Sequence, residues 1–87
     1  MLDNVLKDGQ LIHCQTQEEI DNFIDVAEAK GLRWVGNAEM RDFHDTPPIV
    51  YEIRHRKVAV EVDFTPDNAI PASELRNYAI SIRAKRS

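Results

Sequence analysis

The chain has 87 residues, 11 Lys and Arg against 15 Asp and Glu, and a formal charge of −4. That length suits one domain spanning residues 1–87, and 43% apolar with 30% charged residues excludes a fibre or wholesale disorder. No apolar run approaches the roughly 18–20 residues of a membrane span, and no charged-then-apolar leader opens the chain, so a cytoplasmic protein without membrane contact is expected.

Met1–Gly9 is mixed and polar and reads as a partly frayed lead-in, with Asp8-Gly9 as a turn. Gln10–Cys14 suits a short strand. Thr16 is a good N-cap, and Glu19 three residues later completes a capping box. Glu18, Glu19 and Asp21 put negative charge where the helix dipole favours it. Ile20, Phe23, Ile24 and Ala27 recur at helical spacing and make one apolar face. Lys30-Gly31 is a stop signal, with Gly31 able to turn left-handed. The spacing therefore predicts a helix over Gln17–Lys30.

Leu32–Val35 reads as a second strand, with Trp34 packing on the helix. Gly36-Asn37 is a turn or bulge signal. Ala38–Thr46 fits an irregular continuation of the strand or a mobile loop, and Pro47-Pro48 ends it. Ile49, Tyr51 and Ile53 alternate with Val50, Glu52 and Arg54. Val58, Val60, Val62 and Phe64 alternate with Ala59, Glu61 and Asp63. A period of two marks two strands, each with one buried face. His55-Arg56-Lys57 is the expected hairpin tip. Pairing with an odd sum of residue numbers, such as 113 or 115, keeps both apolar sets on one face. Thr65-Pro66-Asp67-Asn68 then makes a turn. Leu75, Tyr78, Ala79 and Ile82 have helical spacing, while Tyr78, Ile80 and Ile82 also alternate as a strand would. The helix is the favoured reading of residues 71–84. The expected fold is α+β, a two-layer sandwich of order β-α-β-β-β-(α). Its sheet is mainly antiparallel, with one long helix packed on a face.

Charge is uneven. Residues 1–48 carry four Lys/Arg and ten Asp/Glu, and residues 49–87 carry seven and five. An acidic protein with a basic tail is poorly suited to tight duplex binding, where phosphate neutralisation dominates affinity. It is compatible with binding a basic protein surface, and ordinary solvated surface on both halves is the simpler reading.

The residues offer little for catalysis. The lone Cys14 excludes an internal disulfide and a Cys-rich zinc site, and reads as a small core residue. His13 points to the opposite face from Cys14, so the two form no nucleophile–base pair. His44-Asp45 resembles a base with its orienter, but neighbours in sequence rarely supply that geometry. Glu52, Glu61 and Asp63 share the polar face of the hairpin and are a candidate metal or acid–base set; a solvated face with Arg54 as partner explains them more simply. No glycine-rich phosphate loop, HExxH or GxSxG element is present. No cofactor is expected.

Binding residues are easier to nominate. Arg41, Phe43 and His44 lie in the least regular stretch, where an aromatic among charges is a reasonable protein contact. Arg54, Arg56 and Lys57 surround the hairpin tip. An exposed sheet edge is a further surface, able to pair with a partner strand or a second copy. Trp34, Phe43 and Tyr51 with Arg33, Arg54, Arg56 and Lys57 offer the alternative of stacking and phosphate contacts for nucleic acid, joined by Arg83, Lys85 and Arg86. Core packing of Trp34 and Tyr51 is the simpler reading; for the basic tail, contact with an acidic protein is a further option and dipole complementarity explains it as well.

The run Ile12-His13-Cys14-Gln15-Thr16-Gln17-Glu18-Glu19 through Phe23, then Ala27, Gly31 and Trp34, resembles small, functionally uncharacterised phage and prophage accessory proteins. The shared pattern is a strand ending in Cys-x-Thr, a Glu-Glu helix start, a Phe-bearing helix and Gly-x-x-Trp. Beyond Trp34 the likeness is one of hairpin layout. The resemblance implies a setting, a small phage-type protein that modulates host machinery or counters host defence, and transfers no catalytic residue. The expectation is a non-enzymatic protein that binds, with inhibition as one outcome, a host or phage protein. The alternatives are a nucleic-acid-associated accessory protein using the basic second half, and a small metal-assisted hydrolase. A homodimer is compatible with the small size.

Overall fold

The computed structural model of the chain describes residues 4–42, 45–61, 67 and 69–86. The elements are β1 (Leu11–Cys14), α1 (Gln17–Ala29), β2 (Arg33–Trp34), β3 (Ile49–Arg54), β4 (Lys57–Glu61), β5 (Ile70–Pro71) and α2 (Arg76–Arg86), with 3₁₀ turns at Met40–Asp42 and Ala72–Leu75. The five strands form one sheet in the order β2-β4-β3-β1-β5. The α+β class holds, but the sheet is mixed rather than mainly antiparallel. β1 with β3 and β3 with β4 are antiparallel, whereas β2 with β4 and β1 with β5 are parallel. Both parallel partners are two-residue strands, too short to show any period in the sequence.

Local chemistry explains α1. Thr16 Oγ1 accepts the Glu19 N–H at 3.1 Å, and Glu19 Oε1 accepts the Gln15 N–H at 2.9 Å. Lys30 caps the other end, and Gly31 follows with φ +84°. Ile20, Phe23, Ile24 and Ala27 are buried as the spacing requires. Asn22, Asp25 and Val26 are buried too, because a second helix covers α1. That helix is α2, which resolves the ambiguous C-terminal segment in favour of helix. Ion pairs Arg76–Glu18, Arg83–Asp25 and Arg86–Glu28 follow one another along both helices, so α1 and α2 run parallel. Asn22 sits on the α1 face of Glu18 and Asp25, and its Oδ1 is buried without a hydrogen-bond partner among the described residues.

The β3–β4 hairpin is tighter than expected. Paired numbers sum to 111, still odd, so Ile53 and Val58 share the α1 face. Lys57 belongs to β4, and the tip is His55-Arg56 alone, with φ +48° and +65°. Both central residues are thus left-handed, the geometry whose twist matches a two-residue hairpin. Asp8 Oδ1 accepts the Arg56 N–H at 3.0 Å and supports that turn.

Tyr51 stands at the centre of the core, fully buried. Its ring stacks on Phe23 at 4.5 Å and tilts against Trp34 at 5.5 Å. The lead-in is not loose over residues 4–9: Leu6 is buried, and Lys30 Nζ donates to the Leu6 carbonyl at 3.1 Å. Residues 38–42 are neither strand nor free loop. Met40 is buried, and its carbonyl accepts the Trp34 indole N–H at 3.2 Å. The expectations for Val62, Asp63, Phe64 and most of the Thr65–Asn68 turn lie outside the described residues. Among the described residues, no helix is long and apolar enough to cross a membrane.

Candidate functional site

The sequence-nominated residues fall into two groups. Arg41 extends from the Met40–Asp42 turn to α1: its Nε donates to Glu28 Oε2 at 2.7 Å and its Nη2 to Asp25 Oδ1 at 2.9 Å. Those carboxylates hold its guanidinium pKa above the ordinary value, led by the Glu28 hydrogen bond. The same two carboxylates take up the basic tail. Arg83 Nε reaches Asp25 Oδ2 at 2.6 Å, and Arg86 Nη2 reaches Glu28 Oε1 at 3.0 Å. Asp25 is thereby an internal hub for three arginines, a role no local pattern announces because Arg83 lies 58 residues away.

Arg54, Arg56 and Lys57 form the second group, around the hairpin tip. Arg54 pairs with Glu52 at 2.8 Å, Arg56 Nη2 reaches the Lys30 carbonyl at 3.4 Å, and Lys57 Nζ bonds Asn37 Oδ1. Phe43 and His44 lie outside the described residues. So does Asp63, which leaves Glu52 and Glu61 of the proposed acidic set; among the described residues no three His, Cys, Asp or Glu are grouped to hold a metal. Cys14 is fully buried, and burial, reinforced by the Glu19 charge, pushes its thiol up to about 12. A thiol held protonated in this way is inert at neutral pH.

A different surface stands out by its chemistry. β2 ends at Trp34, and the chain turns away through Gly36 and Asn37, whose N–H bonds the Trp34 carbonyl at 2.7 Å. Val35 N–H still reaches the Val58 carbonyl at 3.1 Å, but β4 runs on to Glu61. Val60, expected in the core by alternation, is 37% exposed, and Val35 is 60% exposed. With Trp34, Gly36, Ala38, Val58 and Ala59 they line an open, mainly apolar cavity of about 460 Å³. One carboxylate shares that lining, Asp45. Its Oδ2 accepts the Tyr51 hydroxyl at 2.8 Å, which fixes it to the core. Burial, with Asp45 adding to it, raises the Tyr51 pKa, so that hydroxyl remains a donor. No ion pair among the described residues engages Asp45.

Sequence reading missed Val35 and Val60 as surface residues. The available signal was the Gly36-Asn37 turn directly after Val35, which shortens β2 and uncovers its neighbour. Asp45 belongs to the stretch Arg41–Thr46 nominated for binding, and joins that stretch to the cavity. No family model, no curated protein and no solved structure matches the chain.

Proposed function

We propose that the chain is a non-enzymatic protein-binding module whose contact surface is the β2–β4 edge with the adjoining Arg41–Thr46 stretch. The apolar cavity beside that edge carries this reading. Scattered exposed apolar residues are ordinary, but Val35 and Val60 line one concavity with Trp34 beneath them. An apolar centre with a charged rim is the anatomy of a protein contact. Arg54, Arg56 and Lys57 at the other end of the hairpin supply polar rim contacts. The resemblance to phage accessory proteins supports a host or phage protein as the partner, with inhibition as one outcome of binding. It likewise favours action in the bacterial cytoplasm.

A tagged pull-down from bacterial lysate, run with and without nuclease and read by mass spectrometry, tests this. The expected result is a discrete protein that survives nuclease. A catch that vanishes with nuclease overturns the reading in favour of nucleic acid, and an empty pull-down also counts against it.

A further inference from the structure

The pairing of β3 with β4 dictates where the backbone of β4 points. Arg54 and Lys57 close a two-residue turn, so theirs is a hydrogen-bonded pair. Alternation makes Glu52–Ala59 and Val50–Glu61 bonded pairs as well, and turns the N–H and C=O of Val58 and Val60 away from β3. Val58 bears this out, since its carbonyl accepts from Val35 on the far side. β2 ends before reaching Val60. Among the described residues, no backbone group takes up the outward N–H and C=O of Val60. An unpaired donor and acceptor at a strand edge is a template for one more strand.

The opposite edge offers no such template. β5 is two residues long and ends in Pro71, which has no N–H to give.

The occupant follows from charge. The cavity's one carboxylate among the described residues is Asp45, anchored by Tyr51 and engaged by no ion pair among those residues. Glu61 closes the same strand, and the chain carries −4 overall. A second copy would bring the same carboxylates to this edge, where like charges oppose one another. A small apolar molecule would leave the outward groups of Val60 unused. We infer that the β4 edge takes up an extended segment of another protein as an added strand, with an apolar side chain seated in the cavity and a neighbouring Lys or Arg directed at Asp45. This deepens the protein-binding reading above and rests on it.

Selection of a displayed library of random peptides of about ten residues, long enough for one strand, tests the inference. Wild-type protein is expected to enrich peptides that alternate β-branched or aromatic residues with polar ones and carry a Lys or Arg. Val60→Pro removes the outward N–H without breaking a bond to β3, and is expected to weaken the selected peptides by more than about tenfold. Should that variant not fold, Val35→Glu at an exposed position is expected to weaken them similarly. Asp45→Asn keeps an acceptor for Tyr51 and removes the charge. Its loss, about five- to tenfold, is expected to disappear for peptides whose basic residue is replaced by Ala. Enriched peptides that bind Val60→Pro and Val35→Glu as tightly as wild type would overturn edge docking while leaving a binding module. An enrichment without basic residues would overturn the role of Asp45. A dimer in light scattering that Val35→Glu dissolves would hand the edge to a second copy. No enrichment at all defeats this inference, and the lysate experiment separately decides the broader reading.

Discussion

The two sides of the molecule finish folding differently. On the α2 side, charge is consumed internally: Arg76 meets Glu18, and Arg41, Arg83 and Arg86 converge on Asp25 and Glu28. On the β2 side, a strand stops after two residues and leaves Val35 and Val60 at the surface beside Asp45. A domain of this size buries only about 60–65% of its unfolded surface, so some apolar area must remain outside. Among the described residues, the comparison places two of the three exposed large apolar side chains, Val35 and Val60, on this side and the third, Ile80, on α2. It also separates the charge of the sequence from the charge of the surface. As sequence, the basic C-terminus is open to nucleic-acid, acidic-protein and helix-dipole readings alike; the carboxylates of α1 hold Arg83 and Arg86, which leaves fewer donors for an external anion.

The sharpest way to break this contrast is to remove the hub. The Asp25 side chain is 11% exposed and accepts from three guanidiniums. Asp25→Ala is expected to cost about 2 kcal/mol, less than a fully buried pair because the arginines are half exposed and rehydrate. Glu18→Ala, at the exposed 3.7 Å pair with Arg76, is expected to stay within about 0.5 kcal/mol. Urea unfolding of both variants measures the difference. Equal midpoints would mean that the α2 side is held by apolar packing of Ala79, Tyr78 and Ile82 and not by its charges.

How much of this was legible follows from range. Thr16, Glu19, the Ile20–Ala27 spacing and Gly31 act within a few residues of one another, so α1 could be read to within one residue of its end. The apolar alternation around Ile53 and Val58 likewise set the parity of the hairpin, because a one-residue slip would turn one set out of the core. The tip was illegible: His55-Arg56 carries none of the Asn or Gly that mark a left-handed two-residue turn, and Asp8, which supports it, is 48 residues away. β5 is legible neither by period nor by composition, since it exists only because β1 offers an edge to Ile70 and Pro71. The candidate site was half legible. The Arg41–Thr46 stretch was singled out for its irregularity, but the exposure of Val60 depends on where β2 ends.

Beneath both sides lies a core whose polar groups make it sensitive to alkali. Burial raises the Cys14 thiol from 9.0 to about 12, and the Tyr51 hydroxyl moves the same way. Between those limits the folded chain keeps the thiol proton that the unfolded chain releases. The unfolded state therefore binds fewer protons, and stability falls as pH rises. The contribution is intact below about pH 9 and declines by up to about 1.4 kcal/mol per pH unit for each group towards pH 12. Thermal unfolding followed from pH 8 upward, about a unit below the ordinary thiol value, should show this decline. Cys14→Ala is expected to make it shallower. An unchanged slope in that variant would assign the alkaline transition to Tyr51, the group that ties the core to Asp45 on the open side.

The smallest expected effect on stability is the most informative about the open side. Val35 is 60% exposed, while its hydrogen-bonded neighbour Val58 is buried. Val35→Glu should change the unfolding free energy by no more than about 0.5 kcal/mol, as exposed substitutions do. The same change at Val58 would bury a charge without a partner and prevent folding. If Val35→Glu proves costly, the cavity is part of the core and its apolar lining exists to hold β2 in place. If it is neutral, folding does not require an apolar side chain there. An apolar residue that folding does not use, beside an open strand edge and a carboxylate that no ion pair among the described residues engages, is what the proposed protein contact requires.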